Sequence, residues 1–295
     1  MRLNAMLKHL SLLLLSFILI QNVFAQKAPQ VPENVVYSEQ DVAIFTDIVQ
    51  KFEGKSDTSI SALIPEIGKH FLGKEYVAHA LEVTDQEKLI VNLRDLDCTT
   101  YAENLLAIAR TLKSDQVNFE SYVKELEKIR YRDGKQGDYP TRLHYFSEWI
   151  YDNAENNLVS TPADSFGKPF SKNINFMSTH PNSYKHLQQN PAFISVVKEQ
   201  EELISDRNYF YIPKETLPQK MHLLREGDII GLTTNIDGLD VSHVGILVKV
   251  DGDFHLMHAS QSNLKVEVSD DPLMSFLKPN SSNSGIMIAR PAEIN

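Results

Sequence analysis

The chain has one cysteine in 295 residues, one long apolar run, no excess of positive charge, and no internal repeat or low-complexity tract. Each shortage excludes something. A lone cysteine, Cys98, can form no intramolecular disulfide, so it is a buried remnant, an intermolecular bridge or a working thiol. The apolar run, Leu10 to Ile20, falls well short of the roughly 20 residues that span a bilayer. Lys and Arg total 29 against 39 Asp and Glu, a formal net charge of −10. Such a chain has no electrostatic footprint for nucleic acid or anionic lipid, and those functions are set aside.

The apolar run has another use. Arg2 and Lys8 precede it, and Val23-Phe24-Ala25 ends it with a small-residue cleavage pattern before Gln26. Residues 1–25 therefore read as a signal peptide, with a retained N-terminal anchor as the alternative. The expected mature protein, residues 26–295, is secreted or periplasmic, is not stably membrane-associated, and is two units more acidic without Arg2 and Lys8. Its length provides ample material for a core. A secreted chain rarely keeps a free thiol, because export exposes it to oxidation. Cys98 is therefore the first residue to test for chemistry.

Hydrophobic spacing orders the rest. Phe45, Ile48, Val49 and Phe52 predict an amphipathic helix ending near Gly54, and Ile60, Leu63, Ile64 and Ile67 a second one stopping by Gly73. Leu89 to Leu93 reads as a strand, Cys98 to Leu112 as a strong helix, and Phe119 to Ile129 as another. Residues 131–213 are turn-rich, with helical pieces near His144 to Asn153 and Ala192 to Ser205. The last third reads as strands: Asp228 to Ile230, Ser242 to Val250, Asp253 to Ser260, Leu264 to Val268 and Gly285 to Ala289. Helices first and strands later predict an α+β fold, helices packed on an antiparallel sheet. It is read as one catalytic domain: an N-terminal helical extension (26–70), a nucleophile region (71–130), an irregular insertion with substrate loops (131–213), and a sheet (214–295).

Asp97-Cys98-Thr99-Thr100 is a helix start. Asp97 is a favoured N-cap, and Thr100 with Glu103 offers an alternative capping box one turn on. Cys98, Ala102, Leu105, Ala109 and Leu112 share a face, which puts the thiol at the helix tip, facing inward. The free N–H groups and dipole there favour a thiolate and can hold an oxyanion, so a depressed thiol pKa is expected. The plainer reading is a small residue filling space beside a sheet.

A thiol hydrolase also needs an imidazole base and a group that orients it. Of ten histidines, His9 belongs to the leader and most others sit in polar loops or helices, but His243 begins the dense strand Ser242 to Val248. Asp251-Gly252 is a two-residue hairpin signal. Pairing Val250 with Asp253 then makes His243 and His258 diagonal neighbours on one face and turns His255 away. Zinc held by His243, His255 and His258 is the competing idea, but residues three apart do not share a face on a strand. No metal and no cofactor is expected. His258 as a satisfied core histidine stays open.

At these residues the chain resembles the NlpC-type cysteine peptidases, papain-like enzymes that cut peptidoglycan peptides. Phe71-Leu72-Gly73-Lys74-Glu75-Tyr76, Asp97-Cys98-Thr99-Thr100, Leu224-Arg225-Glu226-Gly227-Asp228 and His243-Val244-Gly245-Ile246 match their pattern in order. His258 in Met257-His258-Ala259-Ser260 matches the third polar position, after a gap a few residues longer than usual. Closer still is the resemblance to a branch of secreted N-acetylmuramoyl-L-alanine amidases once catalogued as a domain of unknown function. It rests on FLGKEYVAHALE, LDCTTYAENL, YRDG followed by YPTRLHYFSEWI, and NFMSTHP, and spans roughly Phe71 to Arg290. The resemblance implies a papain-like (NlpC-type) fold and a Cys98, His243, His258 catalytic set. It also implies cleavage of the N-acetylmuramic acid–L-alanine amide bond, with preference for anhydro-muropeptide fragments in cell-wall recycling, so muropeptides are the expected partners. Tyr76 would place its hydroxyl near the oxyanion, with a buried tyrosine at a helix end as the alternative, and Asp97 would bind substrate besides capping the helix, with capping alone as the alternative. Tyr139 and Arg142 lie where substrate loops usually lie. Arg142 would hold a peptide carboxylate, with a solvated or structural arginine as the alternative. Competing functions are a γ-D-glutamyl–diamino acid endopeptidase and a non-catalytic wall-binding module.

Overall fold

Asp41 shows how the short-range signals are used. The computed structural model describes residues 29–55 and 57–294, so the expected leader lies outside the described residues. Pro32–Asn295 forms one contact unit. Helix α1 (Glu39–Lys51) starts at Ser38, whose side chain accepts the Asp41 N–H while Asp41 takes the Ser38 N–H, a capping box. Asp41 is fully buried, and its other oxygen accepts from Leu93 N at 2.9 Å and Arg94 Nε at 3.1 Å. The cap of the first helix thus anchors the loop that leads to Cys98. Helix α2 (Ile60–Gly68) follows, extended by a tight turn over Lys69–Phe71.

Helix α3 (Cys98–Leu112) is buried from Thr100 to Thr111, wider than the single inward face its spacing predicts. It packs against α2, α4 (Phe119–Arg130) and the sheet, so little of its circumference meets water. Glu103 lies inside this packing rather than in a capping box. Its carboxylate takes the Arg130 Nε–H at 2.7 Å, and Arg130 also donates to the Ile90 carbonyl at 2.5 Å.

The main sheet runs β2-β1-β8-β7-β6-β5-β9-β4-β3. Its strands are β1 (Glu75–Tyr76), β2 (Asp95–Leu96), β3 (Lys168–Phe170), β4 (Tyr209–Pro213), β5 (Ile229–Thr234), β6 (Val241–Val250), β7 (Asp253–Ser260), β8 (Lys265–Val268) and β9 (Asn283–Pro291). All these neighbours are antiparallel except β1 with β2. The result is a mixed α+β fold with a mostly antiparallel sheet, and the five predicted C-terminal strands are β5 to β9. The strand expected at Leu89 to Leu93 is two residues long, Leu89–Ile90, and pairs with Val35–Val36 away from the main sheet. The middle segment is more ordered than its turn-rich composition implies. Besides helices α5 (Phe146–Glu155) and α6 (Ala192–Asp206), it adds β3 and β4 to the sheet. It also has its own small core, in which Tyr139, Tyr145, Met177, Leu187, Val197 and Ile204 are buried together.

Asp228 fixes one end of this sheet. It is fully buried and receives Arg290 from β9 through two bonds of 2.7 and 2.8 Å, plus the Arg225 N–H at 2.8 Å. A bidentate guanidinium pair of this kind has one preferred geometry, so it holds β9 against the turn that enters β5.

Candidate active site

The parallel pair of β1 and β2 sets Tyr76 opposite Leu96, two residues before the thiol. Asp97 caps α3: its carboxylate accepts the Thr100 N–H at 2.7 Å and the Thr100 hydroxyl at 2.8 Å, and Thr100 Oγ1 accepts the Asp97 N–H at 2.9 Å. The capping box therefore uses Asp97 and Thr100. Cys98 occupies the first helical position, partly buried.

The hairpin has the predicted register. Asp251 (φ 51°) and Gly252 (φ 95°) both take the left-handed conformation that a two-residue turn of this type requires, and Val250 pairs with Asp253. His243 Nε2 and His258 Nδ1 lie 2.7 Å apart, with their rings nearly perpendicular. His255 faces the other way, its Nδ1 2.8 Å from the Ser269 carbonyl. Gly245 makes room for this approach. A Cβ there would lie 2.6 Å from Leu256 Cδ1 and 3.2 Å from His258 Cβ.

A feature absent from the sequence reading precedes His243. Leu232 pairs with His243 while the adjacent Thr233 pairs with Val241, so Ser242 is an extra residue in β6. Such a bulge bends its strand and re-aims the next side chain, here the histidine. Upstream, buried Asp240 accepts the Ser147 and Val241 N–H groups, each at 2.7 Å, tying the first turn of α5 to the start of β6.

Cys98 and His243 line a single cavity of about 130 Å³, together with Thr99, Leu143, His144, Phe146, Trp149, Leu239, Asp240, Val241, Ser242 and Val244. A second cavity shares Thr99, Leu143 and His144 with it, and is also lined by Glu82, Asp97, Tyr139, Arg142 and Tyr184. Sequence reasoning missed His144, Trp149 and Asp240. His144 lies just before α5 rather than in it; it is held by the Tyr139 carbonyl at 3.0 Å, and burial, then Arg142, keeps its pKa well below the ordinary value. Its only sequence signal is its place inside the YPTRLHYFSEWI segment.

The electrostatics run against one expectation. Burial first, then the Asp97 carboxylate, push the Cys98 thiol up to about 11, despite hydrogen bonds from Val244 N–H and Thr99. Burial outweighs the helix tip, so the expected pKa depression is not found. Burial, then His258, pulls His243 down to about 3, and burial pulls His258 down to about 4. The resting pair is therefore neutral thiol and neutral imidazole. Burial, then Cys98 and Asp97, raise the Tyr76 hydroxyl to about 12, so it stays protonated.

Tyr139 and Arg142 are differently engaged from the substrate-loop expectation. Arg142 is 5% exposed and donates to Glu82 Oε1 at 2.6 Å, with Glu87 at 3.7 Å, so its charge is already answered within the protein. Tyr139 is stacked against His186, beneath the Arg142 guanidinium. Both line the second cavity. Among the described residues no cluster of three or more metal-ligating side chains occurs, and no helix is long and apolar enough to cross a membrane.

Comparison with known proteins places the chain among the amidase-like hydrolases. A solved N-acetylmuramoyl-L-alanine amidase from Bacteroides uniformis is similar at 36% identity and TM-score 0.76, covering 79% of this chain and 99% of that one. A Bacteroides fragilis protein provisionally designated a xylanase is similar at 38% identity and TM-score 0.73, covering 76% of this chain and 98% of that one. The fold is shared at 18% identity, TM-score 0.62, by protein LPG0564 from Legionella pneumophila, covering 85% of this chain and 95% of that one. No curated protein matches the chain at a significant level. The family model for AmiA-like, N-acetylmuramoyl-L-alanine amidase-like proteins matches residues 66–286, and the chain belongs to that family.

Proposed function

We propose that the protein is an NlpC-type, papain-like cysteine amidase that hydrolyses the amide bond between N-acetylmuramic acid and L-alanine in peptidoglycan fragments, anhydro-muropeptides above all. The observation that carries this reading is the placement of Cys98 and His243 in one cavity, with His243 held from behind by His258 at 2.7 Å. Because His243 Nε2 is engaged by His258, Nδ1 is the nitrogen left to serve the thiol.

In this reading Cys98 Sγ attacks the lactyl carbonyl as His243 Nδ1 takes the thiol proton. A neutral pair must pass its proton during attack, so His243 acts as a general base. Negative charge then gathers on the carbonyl oxygen. The Cys98 N–H at the helix tip and the Tyr76 hydroxyl are the donors suited to it. The C–N bond breaks as His243 returns the proton to the alanine nitrogen, leaving a muramoyl thioester. Water, deprotonated by His243, cleaves that thioester and restores the thiol. His258 holds the ring throughout. Asp97 serves chiefly as the helix cap, and Tyr139 and Arg142 shape the neighbouring cavity. Residues 1–25 would direct export and be removed before Gln26, which N-terminal sequencing of the exported protein tests.

Digesting a defined anhydro-muropeptide and weighing the products tests the bond assignment. The amidase reading predicts the whole peptide, free L-alanine N-terminus included, plus the intact sugar. Release of L-alanyl-D-glutamate still joined to sugar would instead identify an endopeptidase.

A further inference from the structure

The position of one proton decides whether His243 can act as a base. His243 Nε2 and His258 Nδ1 are 2.7 Å apart, so one donates and the other accepts. A neutral imidazole carries its hydrogen on one nitrogen only. If His258 Nδ1 donates, His243 keeps its hydrogen on Nδ1 and cannot take the thiol proton. If His243 Nε2 donates, its Nδ1 is free as a base, but the His258 hydrogen must then sit on Nε2. That nitrogen is buried and has no hydrogen-bond partner, in a residue that is 3% exposed. A buried N–H without an acceptor is costly, so the competent tautomer needs a second acceptor beside His258.

The sheet supplies a candidate. His258 on β7 and Glu267 on β8 are direct partners in the antiparallel ladder, so their side chains leave the same face as close neighbours. Glu267 is the charged group that acts on the His258 ring, favouring its charged form. Asn263 Nδ2 holds Glu267 Oε1 at 2.7 Å, and Oε2 is 3.7 Å from Lys265 Nζ, beyond hydrogen-bond range. Phe276 and His258 pack edge to face, their centroids 5.5 Å apart.

We propose that Glu267 is a positioning residue that accepts the His258 Nε2–H and so locks both histidines in the tautomer that leaves His243 Nδ1 free for Cys98. Resting on the proposed Cys98–His243 pair, this extends it to a line of four: thiol, base, orienting histidine, carboxylate. Glu267 acts only through His258 and touches no substrate.

The test uses the mature full chain with ¹⁵N-labelled histidine and two variants, Glu267→Gln, which keeps an acceptor, and Glu267→Leu, which has none. At pH 7 the wild type and Glu267→Gln should show both His243 and His258 as Nε2–H tautomers. Glu267→Leu should shift both to Nδ1–H, with kcat on the muropeptide at least tenfold lower and KM unchanged. Glu267→Gln should stay within a few-fold of wild type. A wild-type His258 carrying Nδ1–H, or a folded Glu267→Leu with unchanged tautomers and kcat, overturns the proposal. If the Leu variant does not fold, the wild-type tautomer decides alone. That reading needs no substrate, so an Nε2–H pair in a protein inert towards muropeptides would refute the proposed function and leave the Glu267 role standing.

Discussion

Gly245→Ala is a single-methyl probe of the site. The added Cβ would lie 2.6 Å from Leu256 Cδ1, 2.8 Å from Leu256 Cγ and 3.2 Å from His258 Cβ. Leu256 is fully buried, so its branch has little space into which to retreat, and overpacking of this kind costs about 1–3 kcal/mol. The catalytic consequence should be larger. Moving the His258 backbone or Cβ by a few tenths of an ångström lengthens or tilts its 2.7 Å contact with His243. A misplaced catalytic group costs up to about 100-fold in turnover. Urea unfolding gives the stability term, and steady-state kinetics on an anhydro-muropeptide give kcat and KM separately. The expected result is a folded protein, destabilised by about 1–3 kcal/mol, with kcat down at least tenfold and KM nearly unchanged. A variant with full stability and full kcat would show that Leu256 yields freely and that Gly245 is not what allows the histidines to meet.

Cys98 should react slowly with iodoacetamide at pH 7 and faster as pH rises towards about 11, because burial favours the thiol; alkylation at pH 7 outpacing that of a free cysteine would contradict the neutral resting pair. Since folding lowers the His243 pKa from 6.5 to about 3, its stabilising contribution is complete above pH 6.5 and lost as pH falls towards 3. Urea unfolding should therefore lose about 2 kcal/mol between pH 7 and 5 from this group, a loss that His243→Gln should remove. Glu103→Gln should cost about 3–5 kcal/mol by leaving Arg130 buried without its counter-charge; a cost under about 1 kcal/mol would show that water reaches Arg130. Hydrolysis should survive EDTA, because His255 is bound to the Ser269 carbonyl on the far side of the strand from His243, whereas loss in chelator with restoration by zinc would overturn that.

What the sequence made legible was short-range. Asp251-Gly252 has few ways to turn, so the register of β6 with β7, and hence the meeting of His243 and His258, followed from a dipeptide and a two-residue period. Asp97-Cys98 read correctly as a cap and helix tip because those bonds span three residues. The missing features all depend on contacts between distant segments. The bulge at Ser242 exists only relative to β5, and Asp240 reaches Ser147 across 93 positions. Glu103 looked like a capping residue until Arg130, on another helix, claimed it. Arg142 could be read as binding a peptide carboxylate or as structural for the same reason, its partner Glu82 being 60 residues away. Lys168–Phe170 and Tyr209–Pro213 pair with each other at the sheet edge, and turn-rich flanks hid that pairing. The thiol pKa was misjudged because the helix tip is a local feature and burial is not.

If Cys98 is the nucleophile, Cys98→Ala compared with wild type on one anhydro-muropeptide should separate folding from chemistry. Alanine suits the small, partly buried first position of α3, so the variant should fold with a melting temperature close to wild type. Wild type should release the whole peptide from the muramoyl sugar while the folded variant releases none. Peptide release by Cys98→Ala at a rate near wild type would contradict Cys98 as the nucleophile.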